Sequence, residues 1–130
     1  MNSKGVKILL VEDELIIAME IEMELKSLGF DVVGKAINYD TAIDISRKKL
    51  PDVVLMDVNL KGKKNGIDTA HDIVQFNKVP IIFISAYTDE ETENRMRVVP
   101  GSYFLPKPFT IKDLSSKIES IFSGNGVASN

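Results

Sequence analysis

Five short, largely apolar runs, separated by longer segments whose apolar residues recur at helical spacing, restrict the fold of this chain more than any other feature. The runs cover residues 6–11, 32–36, 53–56, 81–84 and 103–105, each of strand length and mostly β-branched or aromatic. A strand that is apolar at every position has no face to offer water. That is the pattern demanded by a parallel sheet covered with helices on both sides.

The intervening segments supply such helices. In residues 14–29, Ala18, Ile21, Leu25 and Leu28 make one stripe, Glu22 and Lys26 stand four apart, and Gly29 provides a stop. Residues 40–50 place Ile43, Ser46 and Leu50 on one side, and residues 66–76 do the same with Ile67, Ala70 and Val74. Thr88 and Glu91 fit a capping box opening a fourth helix over 89–98, which is polar almost throughout. Met96 is its only interior apolar anchor, so this helix is expected to be weakly held. Thr110 and Asp113 approximate the same box before a fifth helix with the stripe Ile111, Leu114, Ile118 and Ile121. The order is (βα)5. Right-handed crossovers then lead to an α/β fold, a doubly wound three-layer sandwich with a five-stranded parallel sheet.

A length of 130 residues suits one domain, here expected over residues 1–123, with the small polar residues 124–130 read as a tail or the start of a linker. The 44% hydrophobic and 27% charged residues argue against a disordered or fibrous chain. A net charge of −3 offers no basic face for nucleic-acid phosphates, and the lack of cysteine removes disulfides and thiolate metal sites. No run approaches the ~20 apolar residues of a membrane span, and the opening "MNSKGVKILL" is too short for a signal peptide. The expected compartment is the cytoplasm.

Doubly wound sheets gather ligands outside the carboxyl ends of their strands. Asp57 ends the third run, where a charge among apolar residues is costly unless partners replace its hydration. The first strand ends in Glu12-Asp13, the fourth in Ser85, and the fifth runs into Lys107-Pro108. The topology therefore predicts three carboxylates, a hydroxyl and an ammonium at one edge. Converging carboxylates suit a hard cation with oxygen ligands, Mg²⁺ in particular, while Ser85 can donate to a bound anionic group and Lys107 can neutralise it. The implied chemistry is phosphoryl transfer onto a carboxylate, with Asp57 as the nucleophile.

Singly, these residues say little. A strand-end aspartate is commonly a turn former, and residues 12–14 could be first-turn acids complementing a helix dipole, the only role given to Glu14. His71, the one histidine, has no second ligand nearby in its helix and receives no role. The "LKGKK" cluster reads as a solvated loop that could steer an anionic donor.

Taken together and in order, "LLVEDE", "VVLMDVNLKG" with "NGI", "PIIFISAY" and "YFLPKPF" resemble a response-regulator receiver domain of two-component signalling over nearly the whole chain. The resemblance implies a flavodoxin-like sandwich and a phosphorylated switch rather than an enzyme, limited to Mg²⁺-dependent self-phosphorylation and autodephosphorylation. Asp57 would be the phosphoacceptor, supplied by a histidine kinase or phosphotransfer protein. Asp13 would hold Mg²⁺ (or Mn²⁺ in its place) directly, Glu12 directly or through water, and Asp57 and the Asn59 backbone carbonyl would complete the protein ligands. Ser85 would hydrogen-bond the phosphoryl group, Lys107 would pair with it, and Phe104 would be the switch aromatic. The Lys107–Pro108 bond would be cis. The face made by the fourth helix, fifth strand and fifth helix would meet a partner or a second copy.

Three features depart from the family pattern. The loop "NLKGKKNG" lacks the frequent Met-Pro step and is one residue longer, Phe104 has no hydroxyl, and Pro106 removes a backbone donor beside Lys107. Other readings remain beside this one: a receiver cut from a hybrid histidine kinase, a metal-dependent phosphatase with an aspartyl-phosphate intermediate, or a flavodoxin-like ligand binder. The phosphatase would want an aspartate where Asn59 stands, and the ligand binder a glycine- or hydroxyl-rich phosphate loop after the first strand.

Overall fold

The computed structural model describes residues 5–86 and 88–123; residues 1–4 and the expected tail at 124–130 lie outside the described residues. Strands β1 (Lys7–Val11), β2 (Asp31–Ala36), β3 (Val53–Asp57), β4 (Ile81–Ser85) and β5 (Ser102–Pro106) alternate with helices α1 (Leu15–Ser27), α2 (Tyr39–Lys49), α3 (Gly66–Phe76), α4 (Glu90–Arg97) and α5 (Ile111–Phe122). All pairings are parallel and the strand order is β2-β1-β3-β4-β5. The order reverses at β1 and β3, which opens a crevice at their carboxyl ends.

Every residue of β3 and β4 is buried, as their unbroken apolar runs require. The edge strands are wetter, and Pro106 sits on one of them, where a missing N–H interrupts no interior ladder. Alternate strand residues divide the core in two. Leu9, Val54, Met56 and Phe83 pack with Ala42, Ala70, Ile73 and Met96 from α2, α3 and α4. Ile8, Leu10, Leu55 and Ile82 pack with Ala18, Leu25, Leu114 and Ile118 from α1 and α5.

Several helix details differ from the periodic reading. The buried stripe of α1 ends at Leu25, because Leu28 is already the C-cap and stands in solvent before Gly29 turns the chain at φ 93°. Glu22 pairs with Lys26 at 2.9 Å as spaced, and also with Lys35 of β2 at 2.8 Å. In α2 the buried positions are Ala42 and Ser46; Ile43 is only partly covered, and Leu50 is exposed because the helix stops at Lys49 and Leu50 takes a left-handed φ of 47°. The cap of α4 is Asp89 rather than Thr88, since its carboxylate reaches the Thr92 N–H at 2.8 Å, while the Thr88 hydroxyl donates to Glu93. Met96 is the buried residue of α4, as its composition implies. The Thr110–Asp113 capping box forms reciprocally, at 3.0 Å in each direction.

Candidate functional site

Glu12 follows β1 directly, and its N–H donates to the Ala36 carbonyl at 2.9 Å, so the sheet ladder itself aims the side chain. The carboxylate is almost wholly buried and accepts from the Glu14 N–H at 3.1 Å. Asp13 is half-buried and accepts from the Lys61 N–H at 3.1 Å. Asp57, the last residue of β3, is 5% exposed and accepts from the Asn59 N–H at 3.0 Å. One oxygen from each of Glu12, Asp13 and Asp57 lies within 4.8 Å of the others. The predicted convergence of carboxylates is present.

Lys107 completes the charge pattern, its Nζ standing 3.5 Å from a Glu12 oxygen. It is delivered by the turn after β5, where its N–H reaches the Ser85 carbonyl at 2.8 Å and the bond to Pro108 is cis. Ser85 is buried at the end of β4, one residue beyond Ile84, the partner of Asp57 in the ladder. Phe104 is not part of this cluster. It lies within β5 opposite Phe83, half-buried beside a cavity of about 290 Å³ between α4 and β5 that Met96 and Tyr103 also line.

Burial pushes the Glu12 carboxyl up to about 7, and the adjacent Asp57 adds to the rise, while the Glu14 N–H and Lys107 oppose it. Packed carboxylates repel one another and favour holding a proton unless a cation replaces it. The donor set consists of oxygens, one of them on a half-open residue, which fits a hard divalent cation rather than zinc.

Other sequence candidates fall outside the cluster. Glu14 is the N-cap of α1, without a side-chain cap bond, rather than a first-turn acid. His71 is exposed on α3, with its Nδ1 3.7 Å from Asp72. Within "LKGKK", Lys63 pairs with Asp40 at 3.1 Å and Lys64 with Asp72 at 2.6 Å, so two of the three lysines are committed to carboxylates.

Two features escaped the sequence reading. A Cβ on Gly66 would come within 1.9 Å of the Asp57 carbonyl oxygen, so the absence of a side chain there lets α3 begin against the end of β3. The available signal was Asn65-Gly66, visible only as a helix opening. The Tyr39 hydroxyl donates to Asp72 at 2.7 Å, a contact between residues far apart in sequence that no local pattern announces.

The response regulator receiver domain model matches residues 8–119. Among curated proteins, the chain is 33% identical over 113 residues to the transcriptional regulatory protein PdtaR of Mycobacterium tuberculosis, covering 87% of this chain and 55% of that protein. It is 34% identical over 113 residues to the phyllosphere-induced regulator PhyR of Methylorubrum extorquens, covering 86% and 42% respectively. The chain thus spans about half the length of the curated relatives it matches. Among solved structures, the signal receiver domain of a modulated diguanylate cyclase from Desulfovibrio desulfuricans superposes with a TM-score of 0.84 at 33% identity, over 94% of this chain and 97% of that one.

Proposed function

This chain belongs to the response regulator receiver domain family, and from that premise we propose that it accepts a phosphoryl group on Asp57 from a phosphohistidine of a histidine kinase or phosphotransfer protein. The observation that carries the reading is the meeting of Glu12, Asp13 and Asp57 within 4.8 Å, with Lys107 at 3.5 Å from Glu12.

The Asn59 N–H engages one Asp57 oxygen, which leaves the other to attack phosphorus. The new O–P bond forms as the N–P bond of the donor breaks, the electron pair returning to the imidazole. Lys107 sits close enough to the cluster to neutralise charge on the transferring group, and Ser85 lies one strand over to receive its oxygens. Glu12, Asp13, Asp57 and the Asn59 carbonyl would hold Mg²⁺, with Mn²⁺ as a substitute. When bound, the cation supplies charge neutralisation at the phosphoryl oxygens.

The receiver unit is assigned to residues 1–123 and to the cytoplasm. Among the described residues no helix is long and apolar enough to cross a membrane, and the net charge of −3 does not favour nucleic acid. Output is assigned to the face of α4, β5 and α5, toward a partner or a second copy.

Incubation with acetyl phosphate and Mg²⁺, followed by intact mass measurement, is expected to add one phosphate, and Asp57→Asn to add none. Undiminished labelling of Asp57→Asn would refute the assignment. Asp13→Ala is expected to weaken Mg²⁺ binding at least as much as Glu12→Ala.

A further inference from the structure

The β3–α3 loop, residues 58–65, carries Asn59 and is tied down unevenly. Val58 and Leu60 are buried and the Lys61 N–H donates to Asp13, but Lys61 and Gly62 stand in solvent, and Gly62 turns the chain at φ 117°. At the far end the Gly66 N–H donates to the Val58 carbonyl at 3.2 Å and Asn65 caps α3, while the lysines between are held by a polar group on α2 and α3. Lys64 reaches Asp72 of α3 at 2.6 Å, and the hydroxyl of Tyr39, the first residue of α2, donates to the same Asp72 oxygen at 2.7 Å. The ammonium groups of Lys63 and Lys64 lie 5.1 and 4.8 Å from the Tyr39 ring centre, and Lys63 also pairs with Asp40 at 3.1 Å. Lys63 and Lys64 are thus each engaged twice.

We infer that Tyr39, Asp72 and Lys64 form a latch that positions the β3–α3 loop at the carboxylate cluster, making Tyr39 and Asp72 positioning residues for cation binding and, only through the cation, for phosphoryl transfer to Asp57. The inference rests on the receiver reading above and gives the lysines of this loop a function. Between the buried Leu60 and the Asn65 cap the chain turns at the exposed Gly62, and without the lysine contacts residues 61–64 would be held only by the Lys61 N–H on Asp13. Pinning Lys63 and Lys64 narrows the positions open to that segment, which keeps the Lys61 N–H on Asp13 at the edge of the cluster. Protonation agrees with a permanently charged latch. Lys64, and then Tyr39, hold the Asp72 carboxyl below its ordinary range, and Asp72 in turn raises Lys64 and Tyr39 above theirs. The latch lies on the surface between α2 and α3, so its removal leaves both cores intact.

Mg²⁺ alone, titrated calorimetrically into the whole chain, is the probe. Asp72→Asn is expected to weaken Mg²⁺ binding by about tenfold, the scale of lost outer-shell support, and Tyr39→Phe by a smaller factor without any change of charge. Asp72→Glu is expected to recover part of the loss. Asp44→Asn breaks another surface ion pair with the same change of net charge, and is expected to leave Mg²⁺ affinity unchanged. In acetyl phosphate labelling, the half-saturating Mg²⁺ concentration should rise with the dissociation constant while the rate at saturating Mg²⁺ is kept. Variants that melt earlier but bind Mg²⁺ within about twofold of the unaltered chain would make the latch a helix staple and overturn the inference alone. If the unaltered chain binds no Mg²⁺, the metal assignment falls first, and this inference with it.

Discussion

Glu12 is 3% exposed, and its carboxyl is shared between an adjacent acid and a lysine 3.5 Å away, so its charge state links the fold to the chemistry. Burial raises it from the ordinary 4.5 to about 7. Between those values the folded chain keeps a proton that the unfolded chain has released, so stability falls as pH rises through the window and the loss is complete above about 7. Glu12→Gln removes that dependence. Denaturant melts across the window should show the unaltered chain losing stability relative to Glu12→Gln as pH rises; parallel curves would contradict the raised carboxyl. The same proton opposes a cation, so Mg²⁺ affinity is expected to climb over the same range, and to climb less in Glu12→Gln.

At the scale of elements, the contact that decides the site is between the start of α3 and the end of β3. An added methyl on Gly66 would meet the Asp57 carbonyl at 1.9 Å and its carbon at 2.8 Å, both backbone atoms that cannot swing aside. Gly66→Ala is therefore expected to push β3 and α3 apart and to slow phosphorylation by roughly 10²-fold, the scale of an ångström of misplacement. Gly34→Ala is the contrast. Its nearest neighbour is the Ile45 side chain at 2.7 Å, which can rearrange, so it should lower stability with the labelling rate of the folded protein kept. Rate measurements on both variants separate the two effects; equal rates would show that Gly66 only packs.

The same contrast explains what the sequence revealed. Strands β3 and β4 were legible because full burial leaves an unbroken apolar run, and Asp57 because a charge interrupts one. The cluster followed from topology, since parallel strands must deliver their ends to one edge. Helix margins were less legible. Leu28 and Leu50 match the helical period, but burial depends on where the helix stops, and both sit at its end. The roles of Gly66 and Tyr39 depend on contacts between separate elements, and neither periodicity nor a local motif encodes them.

At the scale of the whole molecule, a phosphoryl group at Asp57 must be felt at a surface some distance away. Among the described residues, α4 is the helix with least to hold it: Met96 is its buried residue, Arg95 pairs with Asp68 at 3.3 Å in partly exposed surroundings, and one side-chain bond from β5, the Ser102 hydroxyl donating to the Met96 carbonyl at 2.9 Å, ties its end. Phe104 borders the cavity of about 290 Å³ beneath it, which gives the ring room for a second position. An acyl phosphate replaces the single carboxylate charge with nearly two on the phosphoryl group at pH 7, and Ser85 moving toward its oxygens would vacate space beside β5. Having no hydroxyl to anchor it outside, the half-buried Phe104 gains further apolar burial on turning inward, a part of the roughly 1.5–3 kcal/mol that full burial from water brings. That gain does not require the phosphate, so the inward position is expected to be populated before activation and enriched after it. Amide exchange and chemical-shift mapping with and without beryllofluoride, a phosphoryl mimic, should show changes over residues 89–105, and Phe104→Ala should remove most of them while Asp57 still binds the mimic. Changes confined to the strand ends around Asp57, or a response of α4 that survives Phe104→Ala in full, would show that the signal takes another route.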